Sequence, residues 1–320
     1  MKTPALKRNQ EQTAAICPKT KSQSLAQHFK TYYWLYLFIV PTLLWFIIFC
    51  YVPMGGVIIA FKRYTGALSI WESKWVGLKW FKSFFSSYYA TTIIKNTLVL
   101  SFYSLLTFPL PIIFALMINE VTNKRYKQVV QTIMYAPHFI STVVLVSMLN
   151  IFFADSGLIN SLLNALGLDS VNFLTSTESF PHMYTWSTVW QNLGWNCIIY
   201  VAALSSVDPA LHEAAILDGA TRLQRIWHIN IPTILPTIVI TLIMQVGSLM
   251  ATNTDKVLLM LNDLNADSAE VIGTFVYSRG LLSGDYSYAT AVGLFTNVVN
   301  LILLLTVNKI SERVTKTSLF

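Results

Sequence analysis

Charge is what this sequence has least of. Only 12% of its 320 residues are Asp, Glu, Lys or Arg, against 54% hydrophobic; a soluble domain usually carries about 25% charged residues. A chain this apolar cannot hide its nonpolar side chains in one soluble core, so lipid must solvate much of its surface. Cysteine is also scarce. Cys17, Cys50 and Cys197 lie far apart, which excludes a disulfide framework or a metal-ligand spacing. There is no G-x-x-x-x-G-K-S/T, so the chain is not expected to bind ATP through a P-loop. H-E-x-x-H and the G-x-S-x-G nucleophile elbow are absent too, as is any internal repeat. The long apolar runs contain no Asp or Glu, which weighs against a proton-coupled carrier and, more strongly, against a membrane-embedded glycosyltransferase.

What is present is a set of spans. Six stretches free of Asp, Glu, Lys and Arg reach the roughly 20 residues that a membrane helix needs: 31–61, 96–119, 128–154, 179–207, 226–254 and 286–308. Prolines fall within several (Pro41, Pro53, Pro109, Pro111, Pro137), as membrane helices tolerate. The expected fold is all-α: a polytopic protein with six transmembrane helices. It divides into a basic tail 1–30, a transmembrane domain 31–308 with a cytoplasmic loop at 208–232, and a second tail 309–320. The first tail lacks the apolar core and cleavage site of a secretory signal, so no removal is expected.

The formal charge of +7 does not point to nucleic acid, because the basic residues sit in short stretches between spans. With the tail inside, Lys124, Arg125, Lys127, Arg222, Arg225, Lys309, Arg313 and Lys316 are cytoplasmic, and both termini face the cytoplasm. The first outer loop opposes this pattern with Lys62, Arg63, Lys74, Lys79, Lys82 and Lys95. Its Trp-rich stretch 75–85 is expected to be an amphipathic interfacial helix whose lysines snorkel to headgroups. The segment 255–285 holds apolar stretches too short to span, expected as short helices or re-entrant pieces on the outer side.

Between the fourth and fifth spans, Asp208 is placed to cap a helix whose first residue is Pro209. Gly219 can end that helix, and Thr221 can start a second one presenting Leu223, Ile226 and Trp227 to one side. Pro232 and Pro236 punctuate the start of the fifth span. The expected product is a compact helix-turn-helix, with small Ala214, Ala215 and Ala220 permitting close approach and Glu213 offering a charge to a partner's Arg or Lys.

Glu213-Ala214-Ala215, Asp218-Gly219-Ala220, Ile229, Pro232 and Pro236 resemble the EAA loop of permease subunits of binding-protein-dependent ABC importers. Ile231 departs conservatively from the leucine usual before the proline. Further stretches, including Tyr51-Val52-Pro53-Met54, Tyr135-Ala136-Pro137-His138 and Ala291-Val292-Gly293-Leu294, are similar to the branch importing polysaccharide-derived oligosaccharides, the alginate and aldouronate class. The resemblance implies a type I importer permease in a bacterial inner membrane. Its partners would be a second related permease, two ABC ATPase subunits, an external solute-binding protein and a carbohydrate substrate. The loop residues Glu213, Ala214, Ala215, Asp218, Gly219, Ala220 and Pro232 would couple to the ATPase. This chain would bind no cofactor and catalyse nothing, with ATP and magnesium on the ATPase subunits.

Polar residues inside spans are costly and tend to face a cavity or another helix. Thr241, Gln245, Ser248 and Thr252 recur at helical spacing, as do Thr290, Gly293, Asn297 and Asn300. Gln191, Asn192, Trp195 and Asn196 cluster near Trp186 and Trp190. Amides and aromatic rings suit a bulky polar solute, so Gln191, Asn192, Trp195, Asn196, Gln245, Ser248, Thr252, Asn297 and Asn300 are the candidate pathway residues. The same residues can equally glue helices together or pack on a second subunit. His138 is expected to be a structural hydrogen-bonder. An ion-gradient-driven transporter of a polar solute is the alternative function.

Overall fold

A computed structural model describes Leu25–Leu319. Residues 1–24 of the expected basic tail lie outside the described residues. The chain forms two compact units, one ending at Val57 and one beginning at Ile58.

The first unit is built on α1 (Leu25–Phe46), which has a kink at Tyr32 and carries Pro41 inside. A π turn over Ile47–Tyr51 continues it. Every described side chain from Thr31 to Met54 is exposed within the unit, including Trp34, Phe38, Trp45 and Phe49. Only lipid or another subunit can cover an apolar surface of that extent.

The second unit contains α2 (Lys79–Phe85), α3 (Tyr88–Thr107), α4 (Pro109–Asn119), α5 (Lys124–Tyr135), α6 (Thr142–Phe152), α7 (Leu158–Ala165) and α8 (Ser179–Leu204). After it come α9 (Pro209–Leu217), α10 (Arg222–Arg225), α11 (Ile231–Gly247), α12 (Thr254–Met260), α13 (Ala266–Ala269), α14 (Ile272–Tyr277) and α15 (Tyr286–Thr315). Among the described residues there is no strand, only an isolated bridge between Lys62 and Trp75. Among the described residues, four helical stretches are long and apolar enough to cross a membrane: Thr31–Phe61, Tyr88–Asn119, Arg222–Gly247 and Tyr286–Thr315. At 26 residues α8 reaches about 39 Å, enough to span, but its polar side chains make it less apolar than the others.

The remaining expected span, 128–154, is not one straight helix. It is a bent pair, Lys124–Phe139 and Thr142–Phe152, meeting at 97°. Pro137 sits in a 3₁₀ turn over Ala136–Phe139, Ile140 is extended, and Ser141 caps α6 by accepting from Val144 N. Proline removes a donor and the hydroxyl supplies a fresh helix start, so the chain turns sharply here. The stretch 75–85 also departs from expectation. Trp75 stacks on Phe61 and pairs through the bridge, the helix covers only Lys79–Phe85, and Phe84 is buried against Phe275 and Phe295. Lys79 and Lys82 of that stretch are exposed, whereas Lys62, before it, is buried and donates to the carbonyls of Ile70 and Trp71, tying residues 62–71 together.

Helix ends differ from the charge-free windows where charged residues are tolerated within helices. The second span starts at Tyr88, before Lys95. The last helix runs on to Thr315, past 308, through Lys309, Glu312 and Arg313. Packing between spans uses small residues and polar contacts, as expected where lipid tails remove the hydrophobic drive between helices. Gly194 of α8 faces α5 so closely that a Cβ there would lie 2.1 Å from the Met134 carbonyl oxygen. Near it a core of Ala115, Leu116, Cys197, Tyr200, Leu204 and Ile234 joins α4, α8 and α11. A second core of Leu100, Phe180, Tyr184, Val257, Ala269 and Val271 joins α3 and α8 to the short helices that follow α11.

Candidate coupling surface and solute cavity

The 208–232 element is built from local rules. Asp208 caps α9 by accepting from Ala210 N at 2.9 Å, and Pro209 occupies the first helical position, where its missing N–H costs nothing. The helix ends in a Schellman motif, with Ala220 N donating to Ala215 O and Gly219 N to Ile216 O. Gly219 has a φ of +77°, the left-handed conformation that the motif demands and that a Cβ would strain. Thr221 then opens the next helix with a capping box: Gln224 N donates to its hydroxyl, and Thr221 N donates to Gln224 Oε1 at 2.7 Å.

That second helix is not a separate short element. It runs without a break through a π turn at Ile226–Asn230 into α11, so that Arg222–Gly247 is one helix. In the π turn Ile231 N reaches back to Ile226 O, and this wider register admits Pro232 just inside the span. Glu213, Ala214, Asp218, Gly219 and Pro232 are exposed, while Ala215 and Ala220 are half-buried. Leu211, Ile216, Leu217, Leu223 and Trp227 are exposed as well, Leu217 at 88%. Exposed apolar side chains on a doubly capped scaffold can be covered by a partner's cleft.

The second feature is a cavity of about 470 Å³ between α3, α4, α8 and α11, within the roughly 300–1,000 Å³ usual for ligand sites. Asn192, Trp195, Asn196 and Gln245 line it, together with Ser104, Thr107, Thr188, Tyr200 and Thr241. A smaller cavity of about 190 Å³ shares Ser104, Thr107, Thr188 and Gln245 with it and adds Tyr184, Ser248 and Thr252. No charged side chain lines either cavity. Much of the polar wall is held by internal bonds: Gln245 Nε2 donates to Ser104 Oγ at 2.6 Å, and the hydroxyls of Tyr200 and Thr241 lie 2.8 Å apart.

The remaining candidates lie elsewhere. Gln191 donates to Ile140 O at 2.8 Å and so satisfies a carbonyl freed at the bend before α6. Beside it, His138 Nδ1 donates to Asn192 Oδ1 at 2.9 Å, and the imidazole stacks on Trp195 with ring centroids 4.3 Å apart. Asn300 is buried and accepts from Met250 N, fixing the chain just beyond α11, while Asn297 is exposed. The expected single face of Thr241, Gln245, Ser248 and Thr252 does not run its full length along a helix. The helix ends at Gly247, Ser248 leaves helical geometry, and Thr252 lies in the turn beyond, yet both return to the smaller cavity.

Sequence reasoning missed Ser104, Thr107 and Thr188: the hydroxyls of Thr107 and Thr188 donate to helix carbonyls, that of Ser104 accepts from Gln245, and none leaves a periodic mark in an apolar run. It also missed Lys256. This outer-segment lysine is 1% exposed and donates to Tyr184 O at 3.2 Å and Thr188 Oγ1 at 2.7 Å. Its ammonium lies 5.1 Å from the Tyr184 ring centroid. Burial pushes its pKa down to about 7, since nothing of opposite charge offsets the lost hydration. Nothing in the local sequence marks it, since its partners lie on α8 about 70 residues earlier.

The family described as binding-protein-dependent transport system inner membrane component matches residues 107–316. Protein LplB of Bacillus subtilis (strain 168) is 44% identical over 289 residues, covering 90% of this chain and 91% of that protein. The polygalacturonan/rhamnogalacturonan transport system permease protein YteP of the same organism is 42% identical, covering 94% of each. In the crystal structure of a bacterial alginate ABC transporter in complex with an alginate pentasaccharide-bound periplasmic protein, one chain superposes with a TM-score of 0.86. That chain is 40% identical, with 93% of this chain and 100% of that one covered. These likenesses favour the importer over the ion-gradient alternative and agree with the all-helical fold and the inner-membrane location. The chain belongs to the family of inner membrane components of binding-protein-dependent transport systems.

Proposed function

We propose that this subunit forms half of the solute pathway of an ATP-driven oligosaccharide importer, and that its 208–232 element couples the pathway to a separate ATPase. The observation that carries the coupling is the set of exposed apolar side chains, Leu211, Ile216 and Leu217 on α9 and Leu223 and Trp227 on the helix that continues into α11, with Glu213 exposed among them. A push on α10 therefore acts on the cavity-lining span without an intervening flexible loop. Gln245, on that same helix, moves with it.

In this reading a second related permease covers the open side of the cavity, and two ATPase subunits hold ATP and magnesium. This chain binds no cofactor and performs no chemistry. Both termini lie in the cytoplasm, where the basic residues flanking the spans favour them. The outer segment 255–285 meets an external solute-binding protein. Closure of the ATPase dimer rocks the spans and opens the cavity outward, and hydrolysis resets it. Asn192, Asn196 and Gln245 offer amides and Trp195 an aromatic face to a sugar, the combination a polar ring with apolar faces requires.

The test is purification of the tagged chain from its native membrane under mild detergent. Recovery of a second permease and an ATPase is expected, with ATP hydrolysis stimulated by loaded binding protein. Glu213→Lys is expected to leave the subunit inserted while removing that stimulation. A chain that runs alone and takes up solute by itself would sink the reading.

A further inference from the structure

Lys256 poses a problem that the importer reading leaves unanswered. A buried ammonium without a counter-charge is costly, and such groups are normally paired or replaced. Among the described residues no carboxylate pairs with Lys256; its partners are a carbonyl, a hydroxyl and an aromatic ring. It is held in place deliberately by the surrounding chain. Asn253 caps α12 by accepting from Lys256 N, Asn253 N donates to the Tyr184 hydroxyl, and the neighbouring Val257 is buried in the second core.

The position of this charge relative to the cavity is the informative point. Thr188 lines both cavities, and its hydroxyl oxygen accepts from Lys256 Nζ at 2.7 Å. The charge therefore lies one hydroxyl behind a wall that is otherwise neutral. The Thr188 proton now goes to Tyr184 O, but that carbonyl also accepts from Lys256 Nζ, while the Ser187 hydroxyl donates to Met183 O. With the lysine still donating, the Thr188 hydroxyl can rotate toward the cavity without leaving the carbonyl unsatisfied. Across the smaller cavity, the Thr252 hydroxyl oxygen is buried and has no hydrogen-bond partner. A wall hydroxyl polarised by a cation favours an anionic oxygen on its cavity side.

We propose, resting on the importer reading above, that Lys256 is the charge-selecting residue of this subunit, acting through Thr188 so that the cavity favours an acidic saccharide carrying a ring carboxylate over its neutral counterpart. The solute's carboxylate supplies the counter-charge that the fold withholds, in a poorly solvated site where the attraction is weakly screened. Lys256 itself need not touch the sugar. It sets the field and the donor direction of Thr188.

The experiment uses the purified permease–ATPase complex with the binding protein omitted, so that the cavity makes the selection. Binding of a galacturonic acid tetramer is compared with binding of its fully methyl-esterified form. The wild type is expected to prefer the acid about tenfold, which corresponds to about 1.4 kcal/mol. Lys256→Met is expected to abolish the preference while keeping the affinity for the ester; Thr188→Val, which leaves the lysine in place, is expected to reduce it. Equal binding of acid and ester by the wild type overturns the proposal without any variant. A Lys256→Met complex that loses both ligands alike also overturns it, because the lysine is then only a structural pin. If neither ligand binds while loaded binding protein still stimulates ATP hydrolysis, the charge selection is wrong and the importer reading stands. If that stimulation is absent too, both fall.

Discussion

The 208–232 element and the cavity are built on opposite plans. The first is assembled from neighbours in sequence: Asp208 with Ala210, Ala215 with Ala220, Thr221 with Gln224. Its apolar side chains point outward, and its rigidity comes from caps alone. The cavity is assembled from residues distant in sequence, such as Gln245 with Ser104 and Lys256 with Thr188, and its polar side chains point inward. A surface that must be recognised by another protein gains from a shape that does not depend on the rest of the fold. On the proposed reading the cavity opens and closes, and it gains from contacts between helices that can slide, each a single hydrogen bond worth about 0.5–1.5 kcal/mol when neutral and about 1.5–3 kcal/mol when one group is charged.

Breaking the two regions should therefore have different signatures. The largest effect is expected where the helices around the cavity approach most closely. Gly194→Leu would drive a Cβ into the Met134 carbonyl, and the subunit is expected to be lost from the membrane, as immunoblotting of membrane fractions would show. Normal levels would mean that α5 and α8 are not packed as described.

Gly219→Pro comes next. It removes the donor to Ile216 O and is incompatible with a φ of +77°. Insertion should survive, because the damage is confined to one turn, but ATP hydrolysis should no longer follow uptake in reconstituted vesicles. Transport at the wild-type rate would remove the coupling role from this turn. Asp208→Ala is a milder probe of the same element. It costs a cap, roughly 1 kcal/mol of local helix stability, and should show as faster amide exchange over 209–217 with transport only partly reduced.

The smallest effect expected is on pH dependence. The Lys256 pKa is lowered in the folded state, so from about pH 7 up to the ordinary lysine range the unfolded chain binds more protons than the folded one. Stability should rise with pH over that window, and below it the full cost of burying the charge remains. Lys256→Met is expected to raise the melting temperature in detergent at pH 6.5 by a few degrees and to flatten the rise. A melting temperature that falls at pH 6.5 would show that the hydrogen bonds to Tyr184 and Thr188 outweigh the desolvation of the ammonium.

Several features could be read directly from the residues, and each has a short-range cause. Charge-free runs required membrane helices. Asp208-Pro209, Gly219 and Thr221 each carry a local preference strong enough to mark a helix end. Other features could not be read this way. Pro137 was visible, yet whether a proline kinks a span or breaks it at 97° depends on what satisfies the freed groups, here Gln191 from α8 and the Ser141 cap. Asn297 and Asn300 share a helical spacing with the residues of a polar face, but Asn300 is buried on the chain after α11 and Asn297 is exposed.

By itself, the sequence determined that this protein lives in a membrane, which stretches form its long apolar helices, and the local shape of its 208–232 element. These follow from transfer free energies and from backbone preferences acting over at most one or two turns. The tertiary structure alone decided which polar side chains meet around one cavity, which merely hold helices together, and that Lys256 of an outer segment stands behind Thr188 of a membrane span. Those pairings join residues tens of positions apart, and no local preference records them. Only the packing of helices, fixed by close approaches such as Gly194 on Met134, brings such side chains within reach.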